Sequence, residues 1–405
     1  MDYLGFWNSL VSIQFTMHLK KYSLIFAIQL LAALSYAQIN EVWHSMFNGQ
    51  GDFTDRYTCM VLVDDGAFLG GSTQVEDHNQ DFLLCKADLQ GNVLWRKQFH
   101  GTGVGPDEVK AIGFFNGTVV ATGYGSSFGV GNDYYTFCYS DAGDSLWTNI
   151  YNDPLYSQYD EPNDLAIDNA GNIYVTGESD RDVTFNTNHD FLTIKLDPQG
   201  GLLWTARFNG TANSTDRAAA IVVDAQGNAY VTGRSFNGGD DDYMTIKYNA
   251  SGVVQWSNPV DNGGTDRATD IGIDGNGNVY VTGRRNNGND DDYYTVKYSP
   301  AGTTLLQSVY DFVEDDRAEK IAVRADGSYV VTGRSDGNAG VLLNYNFYTV
   351  GYSAAGNQLW ATMFTGVGNN DDVPTCIATL ADGTVAVGGY SDADSGAGIS
   401  NNAVL

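Results

Sequence analysis

The chain has 405 residues, 42% of them hydrophobic and 13% aromatic, with 48 glycines and 7 prolines. This composition is ample for a large core and suits many strands joined by tight turns. The formal net charge of −28 argues against nucleic acid and anionic membrane surfaces as partners, because both need Lys or Arg to meet phosphate.

The first element in chain order is a hydrophobic segment near the N-terminus. Residues 17–37 begin with methionine, continue with two lysines and an apolar stretch, and end in the small-x-small sequence S-Y-A. This order is typical of a secretory signal peptide. We therefore expect residues 1–37 to be a leader, translation to start at Met17 and cleavage to follow Ala37. The mature chain, 38–405, is expected to have no transmembrane segment, because no other stretch is long and apolar enough, and to be secreted or displayed on the cell surface.

From residue 55 onward the sequence repeats with a period of about 50 residues. Each copy begins at an aspartate, called here the anchor Asp. The most regular copies continue through G-N-x-Y-V-T-G and D-x-x-T-I-K-Y, and the first six end at a tryptophan or, once, a leucine. The seven anchors are Asp55, Asp107, Asp160, Asp216, Asp266, Asp316 and Asp372. Such a period with several short strands is the signature of a propeller. The predicted fold is all-β, a single seven-bladed β-propeller of four-stranded antiparallel blades.

The copy that begins at Asp216 shows how one blade is built. Its four β-rich segments are residues 217–223, 229–233, 243–248 and the stretch around Trp256. The third strand alternates polar and apolar residues and is expected to be half exposed. The tryptophans, which recur in the fourth strand, are expected to pack between blades. The Asp-x-x-Gly-Asn elements at Asp168, Asp224 and Asp274 are interpreted as hairpin turns and not as calcium sites.

The connectivity predicts two unlike faces. The long connections, 235–242 within a blade and 208–216 between blades, open on one face, called here the long-loop face. The opposite face, the hairpin face, carries only tight turns. Binding residues concentrate on longer loops, so a site is expected on the long-loop face.

The two ends of the chain are expected to meet. An N-terminal strand at 43–47 precedes the first anchor, and the chain ends inside what should be a third strand. The simplest arrangement places the N-terminal strand in the last blade, which closes the ring and leaves a final blade that is truncated. Closure would make Cys59 and Cys376 neighbours. A disulfide between them is conceivable, but free thiols are the expected state, because first strands of adjacent blades usually lie too far apart.

The segments 227–235 (GNAYVTGRS), 277–285 (GNVYVTGRR) and 242–252 (DYMTIKYNASG) closely resemble the SBBP-type β-propeller repeat family of secreted and cell-surface bacterial proteins. The resemblance covers about residues 41–400. It implies a seven-bladed propeller and export, and it implies no particular reaction.

Candidate binding residues lie where the anchors meet the ends of the second strands. The anchors could form a ring of carboxylates that captures cations, or each could cap its own strand through local hydrogen bonds and pair with a nearby arginine. Arg234, Arg284 and Arg334 end the second strand and are each expected to lie near the anchor of the same blade. The candidate ligand-binding set is Asp216, Arg217, Arg234, Asp266, Arg267, Arg284, Asp316, Arg317 and Arg334.

Two acidic triplets adjoin this sector. Carboxylates with Asn and Gly nearby can bind Ca²⁺, so calcium is a candidate cofactor, although no copy has the spacing of a complete calcium loop. Solvated loop charge is the alternative. The candidate metal ligands are Asp240, Asp241, Asp242, Asp290, Asp291 and Asp292.

Signals for catalysis are weak. The five histidines follow no repeat position, and neither H-E-x-x-H nor G-x-S-x-G occurs. The leading hypothesis is a monomeric, non-catalytic binding or adhesion module that contacts a glycan or another extracellular protein through its long-loop face. The alternatives are an extracellular carbohydrate-active or lactone-cleaving enzyme with an acidic, Ca²⁺-dependent site, and a structural spacer.

Overall fold

The computed structural model describes residues 55–404 apart from short gaps in the connections. The gaps are 75–79, 128–130, 154–158, 181–187, 313, 337–344, 366–370, 380–382 and 393–400. The predicted leader and the predicted closing strand at 43–47 lie outside the described residues. No helix that could cross a membrane occurs in the described part of the chain.

All described elements are strands, and they fall into consecutive antiparallel sheets. The first three sheets contain β1 Asp55–Val63, β2 Gly66–Gln74, β3 Gln80–Asp88 and β4 Val93–Phe99; β5 Glu108–Phe115, β6 Thr118–Ser126, β7 Asn132–Ser140 and β8 Ser145–Tyr151; β9 Asp160–Ile167, β10 Ile173–Asp180, β11 His189–Leu196 and β12 Leu202–Phe208. The fourth and fifth sheets contain β13 Asp216–Val223, β14 Ala229–Phe236, β15 Asp241–Tyr248 and β16 Val254–Val260; β17 Arg267–Ile273, β18 Val279–Asn286, β19 Asp291–Tyr298 and β20 Thr304–Tyr310. The last two contain β21 Asp316–Val323, β22 Tyr329–Asp336, β23 Tyr345–Tyr352 and β24 Gln358–Phe364; β25 Asp372–Thr379, β26 Val385–Asp392 and β27 Asn401–Val404.

The predicted all-β class and four-stranded antiparallel blades are confirmed for six sheets, and the last described sheet has three strands in the order β25-β26-β27. The first strand of each sheet contacts the first strand of the next, so these strands form the inner edge of the assembly. The residues 401–404 form the third strand that the repeat predicts there. β25 also contacts β1.

The second and third strands are longer than the sequence predicts. In the fourth sheet the ladder between β14 and β15 continues to the pairs Ser235↔Asp242 and Phe236↔Asp241. The connection between these strands is therefore only residues 237–240. The expected loop at 235–242 is wrong, because polar residues at both strand ends still pair their backbones.

The third strand is buried and the fourth is exposed. β15 is buried at six of eight positions, whereas β16 alternates between exposed and half-buried residues. The expectation of a half-exposed third strand is thus wrong. The third strand pairs on both sides and is covered by its neighbours, and the fourth forms the outer edge.

The tryptophans of the fourth strands pack between sheets, as predicted. The Trp204 ring lies 5.9 Å from the Tyr174 ring of its own sheet and 6.3 Å from the Tyr248 ring of the next. Its Nε1–H donates to the carbonyl of Ala250 at 3.1 Å. One tryptophan therefore joins two sheets through both its apolar ring and its polar edge.

The Asp-x-x-Gly-Asn elements are turns, which confirms their interpretation. Asp224 Oδ1 accepts the N–H groups of Gln226 and Asn228, each at 2.9 Å. The carboxylate thereby satisfies the donors of its own hairpin, and the same bonds occur at Asp168 and Asp274.

All four cysteines are free thiols in the structure. Cys59 lies on β1 and Cys376 on β25, two strands in contact, and burial raises the pKa of Cys59 to about 12. The thiol form of Cys59 is therefore favoured at neutral pH.

Candidate binding face

The anchor aspartates are buried and bind the connection that precedes them. Asp216, Asp266 and Asp316 are each 0% exposed. Asp216 accepts the N–H of Gly210 at 2.5 Å, and Asp316 accepts the N–H of Phe312 at 2.6 Å. These three carboxylates therefore do not form an exposed ring, because each is withdrawn from solvent. Local capping by hydrogen bonds, the other interpretation of the anchors, is confirmed.

The arginines at the ends of the second strands do not pair with the anchors. In the strand register Asp216 faces Ser235, and Arg234 faces Arg217. The predicted pairings are wrong because anchor and arginine are offset by one residue, and successive side chains of a strand point to opposite faces. The observed partners are Asp241 for Arg234 at 2.9 Å, Asp291 for Arg284 at 2.5 Å and Glu319 for Arg334 at 3.1 Å.

Two aspartates are each shared by two arginines from adjacent sheets. Asp241 Oδ2 lies 2.9 Å from Arg234 Nη1 in its own sheet and 2.8 Å from Arg267 Nε in the next. Guanidinium donors therefore outnumber the carboxylates that hold them. The arrangement recurs one sheet later, where Asp291 Oδ2 lies 2.5 Å from Arg284 Nη1 and 2.9 Å from Arg317 Nε.

Two further ion pairs extend this group to both sides. Arg217 Nε lies 2.7 Å from Glu178 Oε2 of the preceding sheet, and Arg317 Nη2 lies 2.9 Å from Asp315 Oδ2. The side chains of Arg217 and Arg267 are 41% and 38% exposed. We call the whole set the arginine cluster; it comprises Arg217, Arg234, Arg267, Arg284, Arg317 and Arg334.

The electrostatics show that the cluster members act on one another. Burial lowers the pKa of Arg234, and the neighbouring Arg267 lowers it further. Burial also lowers the pKa of Arg284, and the positive charges of Arg317 and Arg267 lower it further. Conversely, burial raises the pKa of Glu178 to about 7 against the opposing charge of Arg217. Part of the cluster's charge is withdrawn from water. A charged ligand interacts more strongly with such partly buried groups, because the surrounding dielectric constant is lower than that of water.

The acidic triplets do not act as units. Asp240 belongs to the connection 237–240 and accepts from Asn237, Asp241 holds the two arginines, and Asp242 points away from them. Asp242 instead lies close to Asp261 and Asp266. In the next sheet Asp290 likewise accepts from Asn287, Asp291 holds two arginines, and Asp292 pairs with Arg285. In each triplet the middle carboxylate therefore has partners separate from those of the other two.

Sequence reasoning did not select Glu178, which pairs with an arginine of the next sheet, or Glu319, which pairs with an arginine of its own sheet. Glu178 and Glu319 occupy different strands of the repeat, and Asp261 lies in the connection after β16. The pairing of Asp241 and Asp291 with arginines of the next copy could have been predicted by comparing acidic and basic repeat positions of adjacent copies. That comparison requires knowing which sheets are neighbours.

A second polar group lies deeper along the inner edge. Asp164 accepts the N–H of Ile221 at 2.9 Å, and Asp270 accepts the N–H of Ile321 at 2.8 Å, each across a sheet boundary. Lys320 Nζ lies 3.9 Å from Asp270 Oδ1. Burial raises the pKa of Asp164 to about 6, and Lys320 opposes that rise.

The hairpin face carries an open depression of about 470 Å³ between the first two sheets. Two of its acids are already paired: Lys86 Nζ lies 2.8 Å from Asp65 and 2.7 Å from Asp141. These pairs favour a structural role for the acids of this depression.

Comparison with known proteins agrees with the fold. The family model of a beta-propeller repeat, SBBP, matches residues 155–182, which confirms the predicted resemblance in the third copy. No curated protein matches the chain.

Solved structures of two propellers are similar to this chain. The periplasmic gluconolactonase PpgL of Pseudomonas aeruginosa is 14% identical with a TM-score of 0.53, and the match covers 83% of this chain and 95% of that one. Sqt1 of Chaetomium thermophilum is 12% identical with a TM-score of 0.52, and the match covers 83% of this chain and 79% of that one. At such identities the similarity defines a β-propeller and nothing finer.

Proposed function

We propose that the protein is an exported, seven-bladed propeller that binds an acidic glycan at the arginine cluster without converting it. The leader-like segment at 17–37 supports export, and the contact of β25 with β1 supports closure by the N-terminal strand. The observation that carries the binding function is the sharing of Asp241 and Asp291 by four arginines.

A carboxylate-bearing sugar fits this chemistry. Guanidinium groups bind carboxylates through paired, charge-assisted hydrogen bonds, and the shared arginines keep donors to spare. The net charge of −28 repels anions at long range. At physiological ionic strength, however, charges are screened over about 8 Å, so the nearest charges decide the contact.

The test is a calorimetric titration with a hexamer of galacturonic acid and, as its uncharged counterpart, a hexamer of galactose. We expect binding of the acidic hexamer only, weakened by added salt. Arg267→Gln with Arg317→Gln should reduce affinity at least about tenfold, the loss expected from ~1.4 kcal/mol of hydrogen bonding. Asp241 and Asp291 each keep one arginine in this double variant, so the fold should persist.

Arg96→Gln is the matched control, because Arg96 is exposed on β4, far along the chain from the cluster. Its affinity should equal that of the unchanged protein. Equal binding of both hexamers, or equal affinity in the cluster variant and the Arg96 variant, would refute an anionic ligand at this place. Binding of neither hexamer would leave protein segments with exposed carboxylates as the ligand class to be screened by the same variants.

Lactone cleavage is a second candidate, supported by the ammonium of Lys320 beside Asp270 on the inner edge. A lysine next to carboxylates can take part in acid–base chemistry. Both Asp164 and Asp270, however, hold backbone N–H groups of the adjacent sheet, which is a structural task. Acid release from an aldonolactone, followed with a pH indicator, would favour this candidate.

A further inference from the structure

Three carboxylates meet at the junction of the fourth and fifth sheets. Asp242 lies on β15, Asp261 follows β16, and Asp266 precedes β17. One carboxylate oxygen from each lies within 4.8 Å of the others. We call these residues the acidic trio. Like charges at this separation repel unless protons or a cation compensate them.

One member of the trio has an unused acceptor in the interior. Asp242 is 6% exposed, and its Oδ1 has no hydrogen-bond partner. Its Oδ2 accepts from Asn237 Nδ2 at 2.9 Å. Burial raises the pKa of Asp242 to about 6, and the charges of Asp261 and Asp266 add to the rise. A buried carboxylate oxygen without a donor costs free energy unless something binds it.

The next sheet contains the same three acids together with a built-in cation. Asp292, Asp311 and Asp316 stand at the repeat positions of the trio. There Arg285 Nη2 lies 3.1 Å from Asp292 Oδ2. In the register Arg285 faces Asp292 as Ser235 faces Asp242. The trio therefore has a serine where its counterpart has a guanidinium, and among the described residues no Lys or Arg forms an ion pair with the trio.

We propose that the acidic trio binds a calcium ion, which takes the place that Arg285 fills in the next sheet. Ca²⁺ prefers six to eight oxygen ligands and tolerates irregular geometry, so three carboxylates, supplemented by water, suit it. Zn²⁺ prefers nitrogen and sulfur ligands, and the trio offers neither. The ion joins β15 to the connection that leads into Arg267, so it supports the fourth and fifth sheets whether or not the arginine cluster binds a glycan.

The test is a calcium titration of the full chain after chelation, with thermal unfolding measured in excess Ca²⁺ and in chelator. We expect one calcium per chain and an increase in Tm of several degrees, because an ion that binds only the folded state stabilises it. Asp261→Asn should weaken calcium binding at least tenfold; Asp261 is exposed, so this variant should fold. Asp311→Asn, the matched change in the next sheet, should leave calcium affinity unchanged.

The repeat also allows a test by exchange. Arg285→Ser removes the built-in cation of the fifth sheet and should raise the stoichiometry from one calcium to two. Ser235→Arg should abolish the first site, provided that circular dichroism shows an intact fold. No calcium uptake by the unchanged protein, or equal affinity in the Asp261 and Asp311 variants, would overturn the proposal.

Discussion

The pKa values of individual carboxyl groups in this protein are shifted either up or down, according to what surrounds each group. Burial raises the pKa of Asp160 and Asp316 to about 6 and of Glu178 to about 7. The turn residue Asp168 has a lowered pKa despite opposing burial, because Asn172 and other donors bind its charged form. Asp168 was predictable from the local sequence. The buried groups were not, because their environment comes from neighbouring sheets.

The buried carboxyl groups predict that the protein is more stable at mildly acidic pH. A carboxyl with a raised folded pKa stabilises the fold fully below its unfolded pKa, and this contribution is lost as pH rises through the folded pKa. Between pH 7.5 and 5.5, Asp160, Asp316 and Glu178 should each restore roughly 0.5–2 kcal/mol. The turn aspartates lose their contribution only below about pH 4.

Thermal unfolding in chelator should therefore give a Tm a few degrees higher at pH 5.5 than at pH 7.5. Glu178→Gln should flatten this dependence, since it removes the group with the highest folded pKa of the three. A Tm that falls as the pH is lowered from 7.5 to 5.5 would contradict the conclusion that burial disfavours the charged forms of these groups.

The hairpins are the elements that the sequence predicted best. The G-N and Gly-x-x-x-Trp patterns place a glycine in the tight turns of the regular copies, and Gly252 has a φ of +80°. A Cβ at Gly252 would lie 2.8 Å from Trp204 Cδ2 of the preceding sheet. The strand ends were predicted less well, because the backbone pairing of Asp241 and Asp242 with Phe236 and Ser235 depends on the ladder and not on side-chain polarity.

Gly252 and Gly238 form a matched pair that separates backbone strain from contact between sheets. Gly238 has a φ of +105°, and a Cβ there meets nothing within 4 Å. Gly238→Ala should cost about 1–2 kcal/mol from its backbone alone. Gly252→Ala should cost roughly 1–3 kcal/mol more, as overpacking does, and it should change the tryptophan fluorescence. If urea unfolding gave equal losses in the free energy of unfolding for the two variants, the Trp204 side chain would be shown to move aside without cost.

At the scale of the whole molecule, repetition made the fold predictable and concealed the site. The period predicts the all-β class and four-stranded sheets, since every copy carries the same strand pattern. Sites arise where copies differ: Ser235 replaces the Arg285 of the next sheet, and Glu178 stands where Arg234 stands one sheet later. Three ion pairs of the arginine cluster join different sheets, so no single copy contains the whole cluster.

We expect ligands to bind at the long-loop face. Hydrogen exchange of backbone amides, measured with and without the galacturonic acid hexamer, tests this expectation most directly. We predict slower exchange in the connections 237–240 and 287–290 and no change in the hairpins 224–228 and 274–278. Slower exchange in those hairpins with none in the connections, under conditions where calorimetry shows saturation, would contradict the claim.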